Sequence, residues 1–255
     1  MKVLTSLLLP VLCLLALTTT PTYAQNSAKN DDSRLYEIRV YYCEPGRLDA
    51  LMNRFRNHTT KIFEKHGMTN AGYWVPVDNS DNKLIYILSY PTMEARNASW
   101  KAFGADPEWK RVASESEKDG KIVKKVDQIF MKAADFSPAF KTTSIDPKGR
   151  VFEMRTYTAN PGKMQDLLSR FRDHTLKLFT KHGMTNVGYW IPEGQENTLI
   201  YILAHPSEEA GKKAFDNFRN DPTWVKARDN SERNGKLTEK VESVYMIPTD
   251  FSTIR

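Results

Sequence analysis

The sequence predicts an α+β protein: two tandem ferredoxin-like β-α-β-β-α-β repeats packed sheet to sheet as one barrel within a single chain. Three observations carry this. The chain from residue 34 onward is one unit written twice. Each copy passes from strand to helix periodicity in the same order. A four-stranded sheet covered by helices on one side leaves its other face to be buried, and a second copy can bury it.

The repeat is direct. Arg34-Leu-Tyr-Glu-Ile-Arg matches Arg150-Val-Phe-Glu-Met-Arg at an offset of 116, and residues 56–76 match 172–192 with 15 of 21 positions identical. One deletion shifts the offset to 115, after which LIYIL at 84–88 matches 199–203 and Asp135-Phe136-Ser137 matches Asp250-Phe251-Ser252. The period is far longer than a solenoid unit, so it marks domain duplication. The expected organisation is a leader at 1–24, a polar stretch at 25–33, repeat 1 at 34–133, a linker at 134–149 and repeat 2 at 150–252.

Within repeat 1, Tyr36, Ile38, Val40 and Tyr42 alternate with Leu35, Glu37, Arg39 and Tyr41, which is strand period. Pro45-Gly46 turns the chain into a helix whose buried stripe is Leu48, Leu51, Met52, Phe55, Thr59, Ile62 and Phe63. Gly67 ends that helix. Met68 to Val75 reads as the second strand and Leu84 to Leu88 as the third. Thr92 and Ser207 are placed to cap the next helix, with acids in the first turn behind each. Asp106-Pro107 and Asp221-Pro222 read as a cap followed by proline at the first helical position. Val126 to Met131 supplies the last strand.

Lys2, the apolar run from Val3 to Leu17 and the small residues Thr22 and Ala24 describe a secretory signal peptide cleaved after Ala24. The run is short for a spanning helix, so no stable membrane insertion is expected after cleavage. A secreted or periplasmic location is the consequence. Cleavage would remove Cys13 and leave Cys43 alone, either buried or as a free thiol.

Composition narrows the chemistry. Two cysteines and five histidines are too few for a cysteine-rich zinc site, and no HxxxH, HExxH or CxxC occurs, so no metal and no cofactor are expected. No GxGxxG, Walker loop or GxSxG is present. The net charge of +6 is spread among many acids, which argues against a nucleic-acid partner.

Four histidines fall in matched pairs, His58 with His174 and His66 with His182. On a helical wheel with Leu48 at zero, His66 falls at 0° and His58 at about 280°. His66 and His182 are expected to satisfy carbonyls of the last helical turn. His58 and His174, at the edge of the buried stripe, read either as boundary residues or as donors or bases in a crevice between helix and sheet. They are the candidate catalytic residues. Tyr73-Trp74 and Tyr189-Trp190 add an aromatic pair to each second strand, with one ring facing the helices and the other the inter-repeat face. With His58 and His174 they form the candidate ligand-binding set, and Gly72 and Gly188 could make room for a bound molecule. His205 replaces Tyr90 and is unpaired.

The strand Leu35-Tyr-Glu-Ile-Arg-Val-Tyr, the Pro45-Gly46 turn, the run ending His66-Gly67 with Gly72-Tyr73-Trp74, and Asp106-Pro107-Glu108-Trp109 resemble the NIPSNAP domain. The resemblance covers both repeats and implies the dimeric α+β barrel superfamily. Related barrels include cofactor-independent monooxygenases, isomerases and haem enzymes, with pockets between helices and sheet. Eukaryotic relatives are linked to mitochondria and vesicle traffic, a setting from which a secretory signal departs. Three functions are therefore weighed: an exported protein binding a small organic ligand, a monooxygenase- or isomerase-type enzyme using His58 and His174 as acid and base, and a protein-interaction module. The sequence leaves the oligomeric state open.

Overall fold

The computed structural model of the chain describes residues 32–141, 146 and 149–255. The expected signal peptide, Cys13, residues 25–31 and linker residues 142–145, 147 and 148 lie outside them.

Repeat 1 consists of β1 (Leu35–Cys43), α1 (Leu48–Arg54), a π-helical turn (Phe55–Thr59), α2 (Thr60–Lys65), β2 (Thr69–Pro76), β3 (Lys83–Tyr90), α3 (Met93–Ala105), α4 (Pro107–Ser116) and β4 (Val123–Ala133). Repeat 2 comprises β5 (Val151–Ala159), α5 (Met164–Arg170), a second π-helical turn (Phe171–Thr175), α6 (Leu176–Lys181), β6 (Thr185–Pro192), β7 (Thr198–His205), α7 (Glu208–Arg219), α8 (Pro222–Ser231) and β8 (Thr238–Pro248). The caps form as expected: Thr92 accepts from Ala95 N, Ser207 from Ala210 N, and Asp106 and Asp221 cap helices that begin with proline.

All strand pairings are antiparallel, and the strands close into one barrel in the order β1-β3-β2-β8-β5-β7-β6-β4. Two short ladders join the repeats, Val75 opposite Ile247 on β2 and β8, and Lys132 opposite Ile191 on β4 and β6. The barrel has a packed interior. Tyr36, Trp74, Met131, Phe152, Trp190 and Met246 fill it, with ring centroids 5.6 Å apart for Tyr36–Trp190 and for Trp74–Phe152. The opposite faces of the strands carry two separate cores under the helices, one per repeat.

Two departures from the expected local structure shape the site. The first helix of each repeat is interrupted at its centre by a π-helical turn, a local widening of the helix. Thr59 Oγ1 donates to the Arg54 carbonyl at 3.2 Å and Thr175 Oγ1 to the Arg170 carbonyl at 3.1 Å, satisfying carbonyls there. The rest of the predicted stripe holds, with Leu51, Phe55, Ile62 and Phe63 buried.

The second departure is in the stretch expected to be linker. Residues 134–140 are packed, and they seal the opposite repeat. Phe136 lies 5.6 Å from Tyr189, Arg172 binds Asp135 at 2.8 Å, and Tyr189 N donates to Ser137 Oγ. The C-terminal tail returns the contact: Phe251 lies 5.4 Å from Tyr73, Arg56 binds Asp250 at 2.6 Å, and Tyr73 N donates to Ser252 Oγ. The matched Asp-Phe-Ser triplets are thus reciprocal clasps between the repeats.

Candidate functional site

The structure separates the residues singled out from sequence. Tyr73 and Tyr189 are fully buried in the cores beneath the helices, each donating its hydroxyl to the Asn three residues earlier, Asn70 or Asn186. Trp74 and Trp190 point the other way, into the barrel interior, as strand alternation requires. Gly72 and Gly188 do make room, but for these indoles: a Cβ at either position would collide with the Trp two residues on. This differs from a glycine clearing space for a ligand.

His58 and His174 lie in the π-helical turns. Each lines an open groove of about 370 Å³ on the outer surface, between the first helix and α4 or α8. These grooves lie between helices, whereas the sequence predicts a crevice between helix and sheet. His66 and His182 reach a different partner from the one expected. Nε2 of His66 lies 2.6 Å from Asp106 Oδ2, and that of His182 lies 2.8 Å from Asp221 Oδ2, so each histidine braces the cap of the following helix. Lys65 and Lys181 join them, and the hydrogen bonds from these lysines first, then from the histidines, hold both aspartates far below the usual carboxylate range.

The helix–sheet crevice itself is occupied by other side chains. In repeat 2 it contains a cavity of about 300 Å³, the lower end of the range for small-molecule sites. Arg155 and Tyr157 of β5 form its floor, Phe171 and Thr175 of the π-helical turn one wall, and Phe179, Phe215, Phe218 and Trp224 the aromatic sides. The aromatics pack closely, with Phe218 and Trp224 centroids 4.3 Å apart. Arg219 and Arg228 stand at the rim. The Arg155 guanidinium carbon sits 4.4 Å from the Phe215 ring.

Behind Arg155 lies a buried ionic cluster. Glu153 is fully buried; Arg155 donates to its Oε1, Ser243 Oγ donates to the same oxygen at 2.5 Å, and His205 Nε2 lies 3.1 Å from Oε2. Burial opposes ionisation of Glu153, but His205, Arg155 and Ser243 outweigh it and hold the carboxyl below its ordinary value. Glu37 is the counterpart in repeat 1, also below its ordinary value against the burial penalty, because Arg96 and Arg39 both bind it.

The two clusters differ where the repeats differ. Arg96 and Trp100 on α3 become Gly211 and Phe215 on α7; Tyr90 becomes His205; Gln128 and Phe130 on β4 become Ser243 and Tyr245 on β8. At the rim, Gly104 and Ala113 become Arg219 and Arg228. Hydrogen bonding changes with them. Arg39 Nε donates to Tyr86 Oη at 3.0 Å, and its Nη1 reaches both Glu37 and Gln128. Arg155 Nε has no hydrogen-bond partner, and its Nη2 makes only a 3.4 Å contact with Tyr157 Oη. His205 Nδ1 is likewise buried and unpartnered.

Sequence reading misses Arg155, Glu153 and His205. The available signal is the set of positions at which two otherwise matching repeats disagree. Among the described residues, no group of three or more His, Cys, Asp or Glu side chains could hold a metal ion, and no helix is long and apolar enough to cross a membrane.

The NIPSNAP family model matches residues 36–138 and 152–253. A NipSnap homolog of Dictyostelium discoideum is 22% identical over 222 residues, covering 85% of this chain and 88% of that protein. Among solved structures, a proposed monooxygenase from Lactobacillus acidophilus superposes with a TM-score of 0.55 at 9% identity, covering 84% of this chain and 93% of that one. A second, from Fusobacterium nucleatum, gives a TM-score of 0.58 at 8% identity, covering 84% and 92%. At these identities the structural likeness establishes the barrel fold alone.

Proposed function

This chain belongs to the NIPSNAP family, and from that premise we propose that it binds a small organic ligand in the helix–sheet cavity of its second repeat. The observation that carries this reading is the cavity itself, about 300 Å³ between β5 and the helices of repeat 2, with Arg155 at its floor and Phe171, Phe179, Phe215, Phe218 and Trp224 around it. A concave, mostly aromatic lining with a few polar groups is the usual form of a small-molecule site. The test is a thermal-shift screen of small organic compounds against the protein and against Phe215→Trp, which puts the larger ring of repeat 1 into the cavity. Ligands that stabilise the parent and not the variant support the reading. Hits unaffected by the substitution place binding elsewhere.

We propose also that the protein is exported, with no membrane or nucleic-acid partner once the first 24 residues are removed. Lys2, the apolar run and the Thr22-Tyr23-Ala24 site support this. Intact mass of the exported protein is expected to begin at Gln25; a chain retaining Met1 or Lys2 contradicts it.

A second reading rests on the grooves at His58 and His174, which are matched between repeats and large enough for a small molecule. There the histidines would act as acid and base in monooxygenase- or isomerase-type chemistry, a reaction class suggested by the names of the structural neighbours. It requires that His58→Ala with His174→Ala abolish turnover while the fold persists.

A further inference from the structure

We propose that the repeat 2 cavity takes an uncharged, flat aromatic molecule of about two fused rings, because every charge in its lining is already balanced within the protein. The inference rests on the ligand-binding reading above and names the class of ligand.

Four arginines line the cavity, and each is paired with an acid. Arg155 binds Glu153, Arg170 binds Glu232 at 2.9 Å, Arg219 binds Asp216 at 2.5 Å and Arg228 binds Asp229 at 2.8 Å. The one other charged residue of the lining is Glu232, the partner of Arg170. The lining therefore presents no unbalanced charge. A carboxylate or ammonium brought in from water would lose hydration without gaining a counter-ion. A neutral ligand avoids that cost.

The rings set shape and size. Phe179 meets Phe215 at 72° and Phe218 at 58°, while Phe218 and Trp224 lie at 36° to each other. Rings at such tilts offer a flat guest both edge and face contacts, the arrangements aromatic pairs favour. Arg155 and Arg170 lie against Phe215 and Trp224, at 4.4 and 5.1 Å, and hold those walls in place. An apolar cavity of about 150 Å³ holds one benzene. This one, at about 300 Å³, has room for two rings. The hydroxyls of Tyr157 and Thr238 add uncharged polar groups suited to one hydroxyl or carbonyl on the ligand. In repeat 1, Trp100 stands where Phe215 does, its ring 4.3 Å from the Arg39 guanidinium carbon. Phe215 omits one ring of that indole.

The test is isothermal titration of the full chain at about pH 7 with three probes substituted at the same ring position. Naphthol is neutral there, naphthoate is an anion, and decahydronaphthol is neutral but saturated. Naphthol is expected to bind once per chain. Naphthoate should bind about tenfold or more weaker, from its uncompensated charge. The saturated alcohol should bind about threefold or more weaker, from lost ring contacts. Asp216→Asn with Asp229→Asn unpairs the two rim arginines, so it should tighten naphthoate about twofold to fivefold and leave naphthol unchanged. Circular dichroism confirms that each variant is folded. Naphthoate as tight as naphthol in the parent, a saturated alcohol that binds as well, no naphthol binding at about 1 mM, or naphthoate unmoved by the double variant each overturns the inference. Phe215→Trp separates these failures from that of the cavity reading. If it removes whichever probes bind, only the ligand class fails; if binding survives it, the cavity reading fails as well.

Discussion

His205 Nε2 lies 3.1 Å from Glu153 Oε2, and both side chains are 1% exposed. In repeat 1 the same carboxylate position is held by a second arginine, Arg96, at 2.9 Å. One repeat thus anchors its buried glutamate with two permanent cations, and the other with one permanent cation and one histidine. The duplicated barrel is symmetric in its scaffold and asymmetric in its chemistry.

The first prediction comes from that exchange. Removing one member of a buried ion pair leaves the other uncompensated, typically at about 3–5 kcal/mol. Glu37→Gln strands both Arg39 and Arg96, so it is expected to cost about 3–5 kcal/mol. Glu153→Gln should cost less, because it strands one buried arginine where Glu37→Gln strands two. Chemical denaturation of the two variants checks this; a larger loss for Glu153→Gln contradicts it.

The clasps give the second. Phe136 packs on repeat 2 and Phe251 on repeat 1. Phe136→Ala and Phe251→Ala should each destabilise the protein by about 2–3 kcal/mol, less than a fully buried phenylalanine because both are half-buried. Hydrogen exchange should rise in the repeat opposite the substitution: around Tyr189 for Phe136→Ala, and around Tyr73 for Phe251→Ala. Faster exchange confined to the substituted repeat would show that the tails do not clasp.

Acid stability gives the third. Glu37, Glu153, Asp106 and Asp221 are all held below their ordinary values in the folded chain. Groups depressed on folding stabilise it above their unfolded values, and that stabilisation is lost as pH falls through the folded ones. Thermal midpoints should therefore be level above about pH 5 and fall steeply below about pH 4. In Asp106→Asn with Asp221→Asn the acid fall should be shallower, since these two carboxyls no longer take up protons on unfolding. An unchanged acid limb in the double variant contradicts their role.

The lone thiol gives the fourth. Burial pushes Cys43 up to about 11, with Arg54 pulling weakly the other way. A thiol that is buried and neutral is inert. Ellman's reagent at about pH 8 should label Cys43 only slowly in the native protein and rapidly once it is denatured. Immediate labelling of the folded protein would contradict this burial.

How far these features can be read from sequence depends on what each physical signal encodes. The repeat, the order of elements, the caps at Thr92, Asp106, Ser207 and Asp221, and the opposed faces of Tyr73 and Trp74 all stem from local periodicity and turn chemistry. The π-helical turn does not, because a 3.6-residue wheel has no place for an extra residue, and the partner of His66 does not either, because Asp106 lies 40 residues away in sequence. The alternation of β1 and β5 places Glu37, Arg39, Glu153 and Arg155 on the helix-facing side, but periodicity alone does not say that an ion pair is buried there. Residues common to both repeats, such as His58 and His174, stand out in the sequence. The cavity is built where the repeats diverge: Phe215 for Trp100, Gly211 for Arg96, His205 for Tyr90. Gly211 shows how tight that exchange is, since a Cβ there would come within 3.0 Å of the His205 ring and 3.1 Å of Tyr245 Oη.

The most direct measurement of the central claim is a crystal structure of the protein soaked with a small organic compound that stabilises it in the thermal-shift screen. The compound is expected in the repeat 2 cavity, against Phe215 and Phe218. An empty repeat 2 cavity, or a compound held only in the grooves at His58 and His174, would contradict it.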